Sequence, residues 1–200
     1  LAKQFEDAYA MKDQLSHVSP RTQNRNLPYT PVPPADVLKN EPDTDFDLPQ
    51  NQEWVRSIFS KWKKDGTEQP EIIPLQIGAE TVVCESRYPY TDRCQDDEVC
   101  ICEMSQADSA QVEKIIEIAE ADPAGWRKTT LEERHRIMYE AANRLADMRG
   151  DLIGCMCAVT GKTVIEGDVE VSEAVDYARF YTTAMKKFAA LDDVEMKPKG

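Results

Sequence analysis

The chain has 200 residues, of which 41% are hydrophobic and 30% are charged, and its formal net charge is -13. This composition is that of a water-soluble chain of one ordinary domain with appendages, with enough apolar residues for a core. The acidic balance excludes nucleic acid and anionic membrane as main partners, because both require basic surface, and no apolar run reaches the roughly 18 residues of a membrane span.

The first part of the chain, residues 1–39, is predicted to be the tail of a helix followed by a connector. Residues 1–17 carry a weak helical stripe that includes Leu1, Phe5 and Tyr9. Seven of the twelve prolines then fall within residues 20–49. Because proline locks φ and removes a donor, this stretch is predicted to be extended, to cross a surface and to lie outside any core.

Residues 40–71 are predicted to form a second unit that contains one helix, and residues 72–200 a third. In the second unit Trp54, Ile58 and Trp62 repeat at helical spacing before Gly66. In the third, residues 72–77 and 80–85 are strand-like and are separated by Gly78, which favours a hairpin. Residues 99–104 form a further strand, and residues 88–97 read as a polar loop.

From residue 105 onward the pattern is helical. One helix ends near Pro123, and the next begins at Thr130, where the Thr-x-x-Glu spacing is typical of a capping box. A shorter helix ends at Gly161. The long last helix starts near Val164 or Gly167 and is predicted to have an apolar stripe of Val171, Ala174, Val175, Ala178, Tyr181 and Met185.

The residues from Thr160 to Thr163 resemble only the end of a phosphate-binding loop, and they favour a plain helix cap. His135 lies between two arginines, which predicts a solvated face, and His17 and His135 have no neighbours typical of metal ligands. The six cysteines are expected to be reduced, with Cys94–Cys100 and Cys84–Cys102 as conceivable bridges. No catalytic, cofactor-binding or metal-binding residue is assigned.

The last helix carries an acidic set: Glu166, Asp168, Glu170, Glu173 and Asp176. A charged outer face is the simpler interpretation, and an Asp176–Arg179 ion pair at i, i+3 is predicted. The functional alternative is that one of these carboxylates turns inward to hold a substrate ammonium group.

The order of several short motifs resembles the aldehyde dehydrogenase superfamily. They are Gly125-Trp126-Arg127, Glu133-Arg134, Ala141-Ala142, Thr160-Gly161-Lys162-Thr163 and the run from Asp176 to Tyr181. Upstream, the NEPDTDF segment (residues 40–46) and Pro74-Leu75-Gln76-Ile77-Gly78 are similar to glutamate-semialdehyde (pyrroline-5-carboxylate) dehydrogenases. Residues 170–177 resemble a helix of bifunctional proline utilisation A, with Ser172 where arginine is usual.

The resemblance implies an α/β fold: the helix-rich amino-terminal part of an NAD-binding domain, with a small β-hairpin or edge sheet. It implies NAD-dependent oxidation of L-glutamate γ-semialdehyde to glutamate in the cytoplasm by a homo-oligomer. It also favours fusion to an FAD-bearing proline dehydrogenase, which residues 1–39 would join, over a monofunctional dehydrogenase. The family's catalytic cysteine and general base are expected beyond Gly200, so the chain is interpreted as a fragment that is inactive alone, with a degenerate paralogue as the alternative.

Glu170 is the first candidate for a residue beside the small-molecule substrate, with Tyr177 and Tyr181 as further candidates. Two alternatives to this function stay open at this point: another aldehyde dehydrogenase, and a non-catalytic acidic helical interaction module.

Overall fold

The structure is a computed structural model that describes residues 1–14, 18, 20–95 and 99–191. Six α-helices lie in these ranges: α1 Ala2–Ala10, α2 Pro49–Trp62, α3 Ser109–Ala121, α4 Leu131–Asp147, α5 Arg149–Thr160 and α6 Val164–Ala189. Five short strands accompany them: β1 Glu71–Ile73, β2 Leu75–Ile77, β3 Glu80–Val82, β4 Arg87–Thr91 and β5 Cys100–Ser105. The predicted helix-rich α/β architecture is therefore confirmed.

The hydrophobic core lies between α4, α5 and α6. Its buried members share small or branched apolar side chains: Ala142, Ala146, Ile153, Cys157, Val164, Val171 and Val175. Small side chains on α4 let the long helix α6 approach closely, and burial of the branched ones contributes about 1.5–3 kcal/mol each. Helix α2 and residues of the connector, such as Tyr29, pack on these three helices.

Helix α2 packs on α5 through two glycines. A Cβ atom added to Gly154 would lie 2.1 Å from Cδ1 of Trp62, so this position admits no side chain without a shift of the indole ring. One turn earlier, Gly150 faces Trp54 and Ile58 at 3.4–3.6 Å. Gly150 does not end a helix, because it lies in the first turn of α5, which follows α4 directly.

The strands form a three-stranded sheet in the order β1-β5-β4 and a separate β2-β3 hairpin. The hairpin is the predicted one, and Gly78 takes the positive φ of 61° that its turn needs. The predicted strand 72–77 is broken at Pro74, which lacks the N–H that a ladder requires. The loop predicted for residues 88–97 is wrong over β4, which pairs antiparallel with β5; residues 96–98 lie outside the described ranges.

The proline-rich connector does not lie outside the core as predicted. Tyr29 packs against the core cluster, and Leu48 is 6% exposed. Asn143 on α4 accepts a hydrogen bond from the backbone N–H of Val32 at 3.0 Å and donates one to its carbonyl at 2.9 Å. The segment is extended, but it crosses the helical body in contact with it, because α4 supplies the partners that its backbone needs.

Candidate functional site

Two local capping interactions fix the start of helix α6. Gly161 ends α5 in the left-handed conformation (φ 73°), and Thr163 then caps α6 by accepting a hydrogen bond from the N–H of Glu166. The Glu166 carboxylate accepts from the Thr163 N–H in return, which completes a capping box and lowers the pKa of Glu166. The predicted helix cap at Gly161 is confirmed, so this turn does not open onto a phosphate site.

A buried network of charges joins α5 and α6. The guanidinium of Arg149 donates to the Asp168 carboxylate at 2.8 Å and to the Ser172 hydroxyl at 3.0 Å, and it lies 3.4 Å from the Glu41 carboxylate. Arg179 donates to the other oxygen of Glu41 at 3.1 Å. All five side chains are at most 7% exposed. Because water does not solvate them, each buried charge must be balanced by the opposite charges beside it.

The NEPDTDF segment is fastened to α6 through this network. Thr44 donates to both oxygens of Asp168, from its backbone N–H and from its hydroxyl, each at 2.6 Å. Nearer the middle of α6, Asp176 accepts from the Asn40 side-chain amide at 2.6 Å and from the Glu41 N–H at 2.7 Å. Two carboxylates of α6 therefore hold the segment in place along the helix.

Residues of the connector extend the network. The Nε atom of Arg25 donates to the Thr44 hydroxyl at 3.0 Å, and its Nη2 atom donates to the Pro42 carbonyl at 2.6 Å. Burial, followed by the neighbouring Arg149, lowers the pKa of Arg25. Arg179 also donates to the Tyr29 hydroxyl at 3.0 Å, and burial raises the pKa of Tyr29.

Between the NEPDTDF segment and the outer side of α6 lies a groove of about 590 Å³, here called the acidic groove. It is lined by Leu38, Asn40, Glu41, Asp43, Val169, Ser172, Glu173, Asp176, Tyr177 and Phe180. Four of these side chains are carboxylates, and no lysine or arginine of the described residues lines it. An aromatic and apolar floor with carboxylates at its edge suits an organic cation.

Within the acidic groove, Glu173 is an exposed carboxylate in contact with an aromatic side chain. It accepts a hydrogen bond from the Tyr177 hydroxyl at 2.7 Å, and this bond raises the pKa of Tyr177. No ion pair is found for Glu173, Asp176 or Asp43 within the described ranges. Glu41 is buried between two arginines, and Asp176 already accepts two hydrogen bonds. Glu173 and Asp43 are the exposed carboxylates of the groove, and of these two Glu173 is the one that contacts Tyr177.

The three predicted substrate-adjacent residues fall in different places. Tyr177 lines the acidic groove, where it is 51% exposed. Tyr181 is 62% exposed and packs against Tyr177 with ring centroids 5.9 Å apart, outside the lining residues. Glu170 faces solvent and forms an ion pair with Lys162. The apolar stripe predicted for α6 is wrong at Ala174, Tyr181 and Met185, because these residues are exposed on the outer side of the helix.

One predicted carboxylate does turn inward, but it is Asp168 and its charge is already compensated. Asp168 is 0% exposed, so the expectation of a wholly charged outer face is wrong at this position. The predicted Asp176–Arg179 ion pair is also wrong, since Arg179 turns inward to Glu41. Sequence periodicity could have placed Asp168 beside Val171 and Val175 on the inner face, whereas its partner Arg149 lies on another helix.

The remaining candidates carry no site chemistry. His135 is buried at 2% exposure against Tyr139, which corrects the solvated face predicted for it; His17 lies outside the described residues. All six cysteines are free thiols, so neither conceivable bridge is formed. In the described ranges, no three His, Cys, Asp or Glu side chains could hold a metal ion, and no helix is long and apolar enough to cross a bilayer.

Comparison with known proteins decides the family. Residues 83–199 match the model of the aldehyde dehydrogenase family, which is more than half of the chain. The chain belongs to the aldehyde dehydrogenase family. This confirms the resemblance at the level of the superfamily.

Among its relatives in this family are two 1-pyrroline-5-carboxylate dehydrogenases. That of Geobacillus sp. (strain WCH70) is 29% identical over 160 residues, which is 80% of this chain and 30% of the relative. That of Bacillus mycoides (strain KBAB4) is 27% identical over 166 residues, which is 81% of this chain and 31% of the relative. The chain thus spans about 31% of the length of the relatives it matches.

Solved structures of the family share this fold. A mutant form of 1-pyrroline-5-carboxylate dehydrogenase from Thermus thermophilus superposes with a TM-score of 0.70 at 23% identity, over 82% of this chain and 31% of that one. Proline utilization A from Bdellovibrio bacteriovorus superposes with a TM-score of 0.69 at 21% identity, over 88% of this chain and 17% of that one. At these identities the likeness establishes the fold alone.

Proposed function

We propose that this chain is the amino-terminal part of an NAD-dependent dehydrogenase that oxidises L-glutamate γ-semialdehyde to L-glutamate in proline catabolism. One observation carries the choice of substrate. The family match begins at residue 83, whereas the match to the 1-pyrroline-5-carboxylate dehydrogenases covers 81% of the chain, so it extends upstream of residue 83. The upstream region contains the NEPDTDF segment, which builds one wall of the acidic groove.

The acidic groove is proposed to receive the α-ammonium group of the semialdehyde. An ammonium group has three donors and a positive charge, so it suits an exposed carboxylate beside an aromatic ring. Glu173 and Tyr177 supply this pair. Glu170 remains a candidate from the sequence, but it lies outside the groove and is paired with Lys162, so it takes second place to Glu173.

We propose that the reacting groups of the family lie outside the described residues. Burial raises the pKa of Cys102, Cys155 and Cys157, which is the opposite of what an activated thiolate nucleophile needs. No glycine-rich turn in these ranges opens a helix toward a phosphate, since Gly161 closes one. We therefore propose that the NAD site lies mostly outside these residues, and that their role is to build and hold the wall of the substrate groove.

The proposed reaction is tested on the native polypeptide that contains this sequence. Purified enzyme is supplied with NAD and with L-glutamate γ-semialdehyde, and NADH formation is followed by absorbance. We expect turnover of this substrate at a kcat/KM well above that of aldehydes without an amino-acid head group. Oxidation of simple aliphatic aldehydes without preference for the semialdehyde would contradict the proposed substrate and favour another aldehyde dehydrogenase.

The role of the acidic groove has its own test. In Glu173→Gln the KM for the semialdehyde is expected to rise about tenfold or more with kcat little changed, because a charge-assisted contact to the ammonium group is lost. Glutarate semialdehyde has the same chain without the ammonium group, and its KM should not change. Glu170→Gln tests the second candidate on the same helix and should leave the KM for both aldehydes unchanged. Equal effects of Glu173→Gln on both aldehydes, or none on either, would refute the groove assignment.

The proposal also covers the domain fusion, the oligomeric state and the location of the enzyme. Fusion to an FAD-bearing proline dehydrogenase is supported by the resemblance to bifunctional proline utilisation A and by the shared fold. A native polypeptide much larger than 22.7 kDa with flavin absorbance would support fusion; a flavin-free preparation would contradict it. Homo-oligomeric assembly and a cytoplasmic location remain predictions, and sedimentation of the native enzyme tests the first.

A further inference from the structure

Two thiols from separate elements meet at a small cavity away from the acidic groove. Cys94 lies in the turn after β4, and Cys157 lies in the last turns of α5. Both line a cavity of about 210 Å³ together with apolar side chains of α2. The Sγ atom of Cys94 is 3.1 Å from the backbone carbonyl oxygen of Cys157.

The contact limits how far apart the two cysteines can lie. Ordinary bond lengths place their Cα atoms at most about 8 Å apart, given the 3.1 Å contact. A disulfide spans about 4.4–6.8 Å between Cα atoms. The adjacent Arg93 donates its backbone N–H to the Ala158 carbonyl at 2.7 Å, so the turn is attached to α5 beside the pair. A bond would require rotation of the two side chains and a Cα separation within this range, which a shift of the turn can provide.

The environments of the two thiols differ in a way that sets the order of reaction. Cys94 is exposed, so a dissolved oxidant can reach its sulfur. Cys157 is 6% exposed, and burial, followed by the neighbouring Cys94, raises its pKa. The buried thiol is therefore a poor first nucleophile, but it is placed to attack a sulfur already attached to Cys94.

We propose that Cys94 and Cys157 are an oxidation site that closes to a disulfide with a small-molecule disulfide such as oxidised glutathione. The Cys94 thiolate attacks one glutathione sulfur, which breaks the glutathione S–S bond, forms a mixed disulfide and releases one glutathione thiolate. The Cys157 thiolate then attacks the Cys94 sulfur and releases the second glutathione. The two protein thiols lose two electrons, oxidised glutathione gains them, and the two thiol protons pass to the released thiolates.

The closed bridge would attach the end of β4 covalently to α5. In a reducing cytosol such a bond forms only when the disulfide pool becomes more oxidised, which is the behaviour of a redox-responsive site and not of a structural crosslink. This inference is independent of the proposed substrate, because neither cysteine lines the acidic groove.

The test is a disulfide map of the native polypeptide after incubation with oxidised glutathione, digestion without reductant and mass spectrometry. We expect a peptide pair linked through Cys94 and Cys157, which disappears on reduction. Persistence of Cys94 as a glutathione adduct with Cys157 free would overturn the proposal, as would a principal crosslink between other cysteines. This measurement needs no variant, so a folding defect cannot obscure it.

Three variants test the order of the two steps. In Cys94→Ser, loss of the free Cys157 thiol should slow about tenfold or more, because the accessible thiol is gone. In Cys157→Ser, the glutathione adduct on Cys94 should accumulate. Cys84→Ser is the control, since Cys84 contacts Gln111 instead of this cavity, and it should leave the crosslink unchanged. Unchanged oxidation of Cys157 in Cys94→Ser would overturn the two-step order.

Discussion

The buried network predicts that replacing Arg149 strongly lowers the free energy of unfolding. This side chain is 2% exposed and donates to Asp168 at 2.8 Å and to Ser172 at 3.0 Å. Replacing it by methionine keeps much of the volume but leaves the Asp168 carboxylate buried without its cation. Removing one partner of a buried ion pair costs about 3–5 kcal/mol.

The size of this loss follows from the contacts that remain. Asp168 keeps two hydrogen bonds from Thr44, and Glu41 keeps Arg179 at 3.1 Å. The expected loss in Arg149→Met is therefore near the lower end, about 3 kcal/mol. Since a domain is stabilised by only about 5–15 kcal/mol in total, this loss would shift the unfolding midpoint markedly.

The assay is urea unfolding followed by tryptophan fluorescence, with unchanged m-values as the condition for comparing free energies. Arg144→Met is the matched control, because Arg144 is 76% exposed and pairs with Glu140 along α4; it should cost under about 0.5 kcal/mol. Adding Asp168→Asn to Arg149→Met should restore part of the loss, because the uncompensated charge is then gone. Equal small losses in Arg149→Met and Arg144→Met would refute the reasoning.

Three further predictions follow from single contacts. Thr44→Val removes the 2.6 Å hydroxyl bond to Asp168 and should cost about 1–3 kcal/mol in unfolding free energy, measured in urea; no loss would contradict its burial. Gly154→Ala should destabilise by about 1–3 kcal/mol, because the new Cβ meets Trp62 at 2.1 Å; a gain in thermal midpoint would contradict the close approach. Capping lowers the pKa of Glu166 below its ordinary 4.5, so its contribution is complete above pH 4.5 and is lost as the pH falls through the lower folded-state pKa. Glu166→Gln should therefore flatten the acid limb of a stability–pH profile, and an unchanged limb would contradict this.

Helix caps could be predicted from the sequence because the residues that form each cap lie within one or two helical turns of each other. The Thr130–Glu133 capping box and the Gly161 cap are present as predicted. The histidine between two arginines was misplaced because successive residues on a helix differ by about 100°. Arg136 can therefore be exposed, and Arg134 can lie half-buried over the Trp126 ring, while His135 is buried.

The long-range contacts could not be predicted from the sequence. Asp168 and Thr44 are 124 residues apart, and nothing in either neighbourhood indicates the other. The residues of β4 were predicted to form a loop because Pro89 and the polar residues around it are not typical of a strand. Their pairing partners lie on β5, which follows later in the chain. The acidic groove could not be predicted for the same reason. Its carboxylates are visible in the sequence, but its two walls come from α6 and from the NEPDTDF segment, which are far apart along the chain.

The NEPDTDF segment links the buried network to the acidic groove through one residue, Glu41. Its carboxylate lies between Arg149 and Arg179, while its backbone N–H donates to Asp176 on the groove side of α6. If Glu41 only stabilised the packing of the helices, its own backbone would not need to be fixed beside the groove. Because the charges are buried and each oxygen of Glu41 faces a different arginine, the position of this backbone is set within a narrow range. The costly burial of charge is thus explained by the precision it gives to the groove wall that the proposed substrate would meet.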